Sequence, residues 1–178
     1  MARNIEIKAR LENLDSLVSK VAALADEGPM EILQDDTFFH RRSGRLKLRV
    51  LANGEGQLIF YQRPDQAGPK ESCYTISPTG TPDSLRETLS FAYGEAGRVR
   101  KRRTLFMIGK TRVHLDRVEG LGHFLELEVV LSDDETVESG TLVARKLMAE
   151  FGIEPAQLIE GAYIDLLGDQ VQPLTVRR

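Results

Sequence analysis

A chain of 178 residues with 41% hydrophobic and 29% charged side chains is long enough to bury one core and too apolar to remain disordered. The single cysteine, Cys73, excludes an internal disulfide framework and a cysteine-based zinc site, and no apolar run reaches the roughly 20 residues of a membrane span. The net charge of −3 conceals a segregation. Twelve of the 24 basic residues fall within Arg41–Arg49 and Arg98–Arg112, neither of which contains an acid, so the rest of the chain carries −15. Such a distribution points to a polyanionic ligand rather than to a generally basic surface. Aromatics are only 6% and tryptophan is absent, which disfavours a stacking platform for single-stranded nucleic acid. Met1–Arg10 has no signal-peptide apolar region, so a cytoplasmic location is expected.

In chain order, Asn4–Arg10 alternates polar and apolar residues, the signature of a strand. Leu14, Leu17, Val18, Val21 and Leu24 then recur at helical spacing, with Asn13 or Asp15 as the cap. A short strand is expected at Asp36–His40, followed by strands at Arg45–Leu51, Gln57–Gln62 and Glu71–Ile76. Thr81-Pro82 opens a helix that should end near Gly94, with Pro82 in the first helical position. Val99–Ile108 and Thr111–Val118 read as an antiparallel hairpin across Gly109, and Phe124–Leu131 as a further strand. The acidic run from Ser132 to Glu135 predicts a helix start, that helix stopping at Gly152. Pro155 predicts a last helix through Leu167, ended by Gly168, with a frayed tail from about residue 169. No repeat or linker interrupts the chain, so one domain spanning 1–178 is expected. About eight antiparallel strands with few helices predict an α+β fold built on a closed sheet, since closure removes exposed edges.

What alternates along these strands is unusual. Asn4, Glu6, Lys8 and Arg10 share one face, as do Arg45, Lys47 and Arg49; Lys101 and Arg103; Arg112, His114 and Asp116; and Glu126 and Glu128. The opposite positions are mostly Ile, Leu and Val, although between Arg98 and Arg103 both parities are basic. A half-solvated sheet explains any one strand. Faces that are nearly pure Arg/Lys on some strands and pure Glu/Asp on others fit a barrel with a polar interior and helices covering its apolar exterior. Its cations would hold phosphate oxygens, and its carboxylates a hard divalent metal.

These residues resemble the CYTH superfamily, the triphosphate tunnel metalloenzymes, which includes class IV adenylyl cyclases and thiamine triphosphatases. The family's N-terminal Glu-x-Glu-x-Lys motif reads Asn4-Ile5-Glu6-Ile7-Lys8 here. Further matching segments follow in the family's order: Gln34–Phe39, Arg45–Arg49, Tyr61–Asp65 with Lys70, Val99-x-Lys101-x-Arg103, Arg112–Gly122 and Phe124–Glu128, with Tyr163–Leu167 near the end. The resemblance implies an eight-stranded antiparallel β-barrel that binds a triphosphate in its tunnel. It implies Glu6, Glu126, Glu128 and Asp116 as metal ligands, and Lys8, Lys47, Arg49, Lys70, Lys101, Arg103 and Arg112 as phosphate contacts. Glu6, Lys8 and Asp116 would stand closest to the chemistry. Asn4 replaces the first motif Glu and offers an amide oxygen without charge, which leaves one or two metals open. Gln62 replaces a family lysine, and Arg63, of the other parity, is not counted as a phosphate ligand.

The expected activity is metal-dependent turnover of a triphosphate with Mg2+ or Mn2+, foremost a cyclase reaction that makes cyclic AMP and pyrophosphate from ATP. Hydrolysis of tripolyphosphate, a nucleoside triphosphate or thiamine triphosphate would use the same residues. A non-catalytic polyphosphate or nucleotide binder is the third reading. Nucleic acid as the main partner is disfavoured because acidic residues interleave with the basic ones. A homodimer is left open. His114 reads as a polar tunnel residue and Cys73 as an apolar packing residue.

Overall fold

In the computed structural model the backbone of residues 1–171 and the side chains of residues 1–168 are described. Eight strands form the frame: β1 (Ala2–Leu11), β2 (Glu27–Phe39), β3 (Arg45–Leu51), β4 (Gly56–Gln62), β5 (Lys70–Thr79), β6 (Glu95–Ile108), β7 (Thr111–Val118) and β8 (Gly122–Leu131). They close into a barrel in the order β1-β5-β4-β3-β2-β6-β7-β8, with β8 returning to β1 and every neighbouring pair antiparallel. The helices are α1 (Asp15–Leu24), α2 (Pro82–Tyr93), α3 (Val137–Glu150) and α4 (Tyr163–Val171). The α+β class and the closed antiparallel barrel expected from the alternation are what forms.

The apolar core lies outside the barrel wall. Ile5 and Ile7 of β1, Val113 and Leu115 of β7, and Leu125, Leu127 and Val129 of β8 point outward. They meet Leu17 and Val21 of α1 and Ala144, Leu147 and Met148 of α3. Each fully buried side chain of this size contributes about 1.5–3 kcal/mol, enough to seat two helices on this face. Gly140 permits the closest approach of α3, since a Cβ there would lie 2.6 Å from Ile5. A second cluster, Phe38, Val99, Val118, Leu121, Phe124 and Tyr163, closes one end of the barrel under α4.

Five boundaries differ from expectation. The short strand read at Asp36–His40 is the end of the 13-residue β2, whose earlier part pairs with β6 from Glu27 onward. β6 likewise begins at Glu95 rather than Val99. The acidic run does not start α3. Glu135 folds back on Ser132, and Thr136 caps the helix by accepting the Ser139 N–H at 3.1 Å. The last helix does not begin at Pro155 either. One 3-10 turn at Pro155–Gln157 gives way to extended chain, because Leu158 bridges Ala9 and the Ile159 N–H donates to the Lys8 carbonyl at 2.9 Å. Tertiary partners there replace intrahelical bonds, and α4 starts at Tyr163. It runs through Gly168 to Val171, where a frayed tail was expected; the remainder of that tail lies outside the described residues.

Candidate active site

Closure turns one face of every strand into the lining of a cavity of about 280 Å3. Strand parity decides which side chains enter it. β1 supplies Asn4, Glu6 and Lys8; β3 Lys47 and Arg49; β6 Lys101 and Arg103; β7 Arg112 and His114; β8 Glu126 and Glu128. With Arg63 and Asp36, seven cationic side chains face four carboxylates, a positive excess suited to a polyanion. Arg98, Arg100 and Arg102, of the other parity, lie outside and pair with Asp35 and Glu31.

The cationic wall is organised by Asp36 of β2, which is 1% exposed. Its carboxylate accepts from Arg49 at 2.8 and 2.9 Å and from Lys47 at 3.0 Å, with Lys101 at 3.8 Å. Burial would raise this carboxyl's pKa, but Arg49, Lys47 and Lys101 hold it well below the usual range. Lys101 is pushed down to about 7, by burial first and by Arg103 next. Lys47 is lowered as well, by burial and Arg49. These ammonium groups are short of counter-charge, and an anion in the cavity would supply it.

The opposite wall is acidic. Glu126 takes Lys8 at 3.0 Å and Arg103 at 3.2 Å, and its Oε1 lies 3.6 Å from His114 Nδ1. Glu128 accepts from Arg112 at 2.6 Å. Burial opposes ionisation of Glu126, yet Lys8 and Arg103 hold its pKa well below the ordinary value. Glu128 is also lowered against burial, by His114 and Arg112. Burial, followed by Arg103, lowers His114 and favours the neutral imidazole. One ligand atom from each of His114, Glu126 and Glu128 lies within 4.8 Å of the other two. His114 Nδ1 and Asn4 Oδ1 are buried in the same cavity without a hydrogen-bond partner. Two anionic carboxylates, a free imidazole nitrogen and a free amide oxygen fit a divalent cation.

Four placements differ from the sequence reading. Asp116 does not line the cavity. It is fully buried behind Arg103, which it holds by two 2.7 Å bonds while also accepting the Tyr163 hydroxyl at 2.7 Å. Lys70 points to the closed end, where its ammonium donates to the carbonyls of Gln66, Ile159 and Glu160 at 2.8, 3.3 and 2.9 Å. Glu6 lines the cavity across from Glu128 in the β1–β8 register, outside the 4.8 Å cluster, with Lys8 at 3.7 Å and Arg63 at 3.5 Å. The Arg63 side chain faces inward and is 1% exposed, whereas Gln62 is exposed. The register Tyr61↔Arg45 and Tyr61↔Tyr74 turns Ile59 and Tyr61 inward, and Arg63 continues that parity.

Asp36 and Tyr163 are not among the expected site residues. Asp36 lies in the family-like segment Gln34–Phe39, but a short strand from Asp36 to His40 does not reveal the inward parity of Gln34, Asp36 and Phe38. Tyr163 comes from α4 and seals the closed end, its ring 4.2 Å from Lys8 Nζ and 5.2 Å from Lys101 Nζ. Its only sequence signal was the family-like segment Tyr163–Leu167.

A closed eight-stranded tunnel with a cationic wall, an acidic wall and one end sealed by the C-terminal segment defines the class, and the chain belongs to the CYTH domain family, whose sequence model matches residues 2–163. Adenylate cyclase CyaB of Aeromonas hydrophila is 25% identical over 167 residues, covering 89% of this chain and 85% of that protein. Among solved structures, the PH1012 protein of Pyrococcus horikoshii superimposes with a TM-score of 0.82 at 24% identity, over 92% of this chain and 98% of that one. HpAC1 of Hippeastrum, for which a dominant triphosphatase activity is described, has a TM-score of 0.66 at 14% identity over the whole of both chains. These structural likenesses show the fold. Among the described residues no helix is long and apolar enough to cross a membrane.

Proposed function

We propose that this protein is a metal-dependent enzyme that binds a triphosphate in the tunnel and converts ATP to cyclic AMP and pyrophosphate. The observation that carries the reading is the pairing of two walls in one cavity: under-neutralised cations on one side and a compact His114–Glu126–Glu128 cluster on the other. The similarity to a protein named adenylate cyclase supports the choice of reaction.

In this reading Lys8, Lys47, Arg49, Arg63, Lys101, Arg103 and Arg112 hold the phosphate oxygens, Arg by forked contacts and Lys as point charges. Asp116 acts through Arg103 and Tyr163, keeping the guanidinium aimed across the tunnel. Lys70 anchors the segment that carries Tyr163. Glu126 and Glu128, with His114 and with Glu6 and Asn4 nearby, would hold Mg2+ or Mn2+. Such an ion supplies charge neutralisation at the phosphates and lowers the pKa of a bound hydroxyl. The ribose 3′-oxygen bonds to the α-phosphorus, the bond from that phosphorus to the bridging oxygen breaks, and pyrophosphate leaves. The hydroxyl proton passes to water at the open mouth. The protein's own contribution is positioning and a preorganised field.

Incubation with ATP and Mg2+ or Mn2+ tests this, with product identification. Cyclic AMP and pyrophosphate in equal amounts are expected. Orthophosphate without cyclic AMP replaces the cyclase with a hydrolase in the same tunnel, the activity described for HpAC1. Tripolyphosphate binding with no turnover of any triphosphate makes the protein a binder. Glu126→Gln should lower turnover by about 100-fold while the barrel stays folded, read by initial rates and circular dichroism.

A further inference from the structure

A second cavity, of about 600 Å3, lies outside the tunnel, along the outer surface of β3, β2, β6, β7 and β8. Register sets its outward side chains in a row. Leu33 of β2 stands opposite Arg102 of β6, Arg102 opposite Arg117 of β7, and Arg117 opposite His123 of β8. Val50 of β3 adjoins the Leu33 end. At about 4.8 Å per strand the groove runs about 19 Å from Val50 to His123. Val50 and Leu33 make one end apolar, and Arg102, Arg117 and His123 make the other basic. Leu33 is 50% exposed and the Arg102 side chain 61%, and Arg117 is exposed as well, so the row is open to solvent.

The charge in this row is unbalanced. The tunnel lining carries +3, which leaves −6 for the rest of the chain, yet here two arginines face each other across adjacent strands. Like charges directly opposite one another destabilise a sheet. The groove's two acids do not relieve them. Asp35 is taken by Arg98 and Arg100, and Glu119 makes no ion pair among the described residues. Arg102 reaches Glu31 only at 3.9 Å, and Arg117 has no ion pair among the described residues. An anion between the two guanidinium groups removes the repulsion, and phosphate oxygens match their forked donors. The apolar end of the groove gives the organic part of such an anion a ledge on the sheet surface, which suits a planar base.

We propose that this groove is a nucleotide-binding site separate from the tunnel: Arg102 and Arg117 hold the phosphates, with His123 beside them, and Leu33 and Val50 pack against the base. β6 then serves two sites, with Arg102 turned outward and Arg103 inward. The proposal does not depend on the reaction in the tunnel.

Titration of ADP without divalent metal, followed by NMR of the methyl groups of Leu33 and Val50 and the imidazoles of His123 and His114, tests it. The first three signals report the groove and His114 reports the tunnel. Leu33, Val50 and His123 should move together along one binding curve. Arg102→Gln and Arg117→Gln, both at exposed positions, should each weaken that curve about tenfold and change any response of His114 by less than about twofold. Leu33→Gln should weaken ADP about fivefold and leave pyrophosphate unchanged. A response of His114 alone overturns the groove site and leaves the tunnel reading standing, whereas a response of the groove signals alone supports the site. No loss in either arginine variant overturns it. Equal affinities for ADP and pyrophosphate overturn the role of the apolar end, and with it the nucleotide assignment.

Discussion

Asp35 and Asp36 are neighbours on β2, and each gathers basic side chains, yet they do opposite things. Asp35 faces out and accepts from Arg98 at 2.6 Å, beside Arg100, with the two arginine side chains 42% and 53% exposed. Asp36 faces in and holds Arg49, Lys47 and Lys101, none more than 13% exposed. β6 repeats the division: Arg102 is 61% exposed, and Arg103 only 5%. Both sets pair a carboxylate with basic side chains, and parity decides which of them faces water. In water an ion pair gains little, because high dielectric and salt screen it and long side chains lose entropy. Inside the tunnel each charge has been stripped of water and depends on its partners. The outer set decorates the barrel, and the inner set is a binding surface.

The largest expected effect is a direct test of that contrast. Asp36→Asn strands three buried cations and should cost about 3–5 kcal/mol in urea unfolding, whereas Asp35→Asn should stay within about 1 kcal/mol. Equal costs would show that parity does not separate the two sets. Tripolyphosphate should restore stability to the Asp36 variant more than to the Asp35 variant, since it replaces the missing negative charge.

An intermediate effect is expected at the sealed end. Tyr163→Phe removes a buried hydroxyl from Asp116, which should cost about 1.5–3 kcal/mol, the range for a hydrogen bond to a charged group. Because Asp116 holds Arg103, triphosphate affinity should fall as well. A stability loss with unchanged affinity would confine Tyr163 to packing.

The smallest effect is in pH. The Lys101 ammonium is held down to about 7 from an ordinary 10.5, so in the ligand-free protein it loses its proton as pH rises through 7. Tripolyphosphate affinity should therefore be full below that value and weaken about tenfold towards pH 8.5, with Lys101→Met flattening the profile. Between about 7 and 10.5 the unfolded chain binds more protons at this site, so burial of Lys101 penalises the ligand-free fold less as pH rises. A flat wild-type binding profile would remove Lys101 from the phosphate wall.

Much of the inner set was legible in the chain. Period-two alternation puts Lys47 with Arg49, Lys101 with Arg103, and Glu126 with Glu128 on shared faces, and all six line the tunnel. Asp116 also has the right parity but stands behind Arg103, because its carboxylate finds a guanidinium and a phenol before it reaches the cavity. Lys70 reaches backbone carbonyls at the sealed end for a similar reason. Parity names a side, not a depth.

What the sequence determined by itself is the alternation: that one face of β1, β3, β6, β7 and β8 is charged, and that on β3, β6 and β8 the inward charges are of one sign. Those properties are local, since each depends on residues two positions apart. Only the tertiary structure decided which blocks meet. Barrel closure set Asp36 beside Lys47, Arg49 and Lys101, turned Arg63 inward, and brought Tyr163 under Lys8 from the far end of the chain. Those pairings depend on strand register and on contacts between residues distant in sequence, which no periodicity encodes.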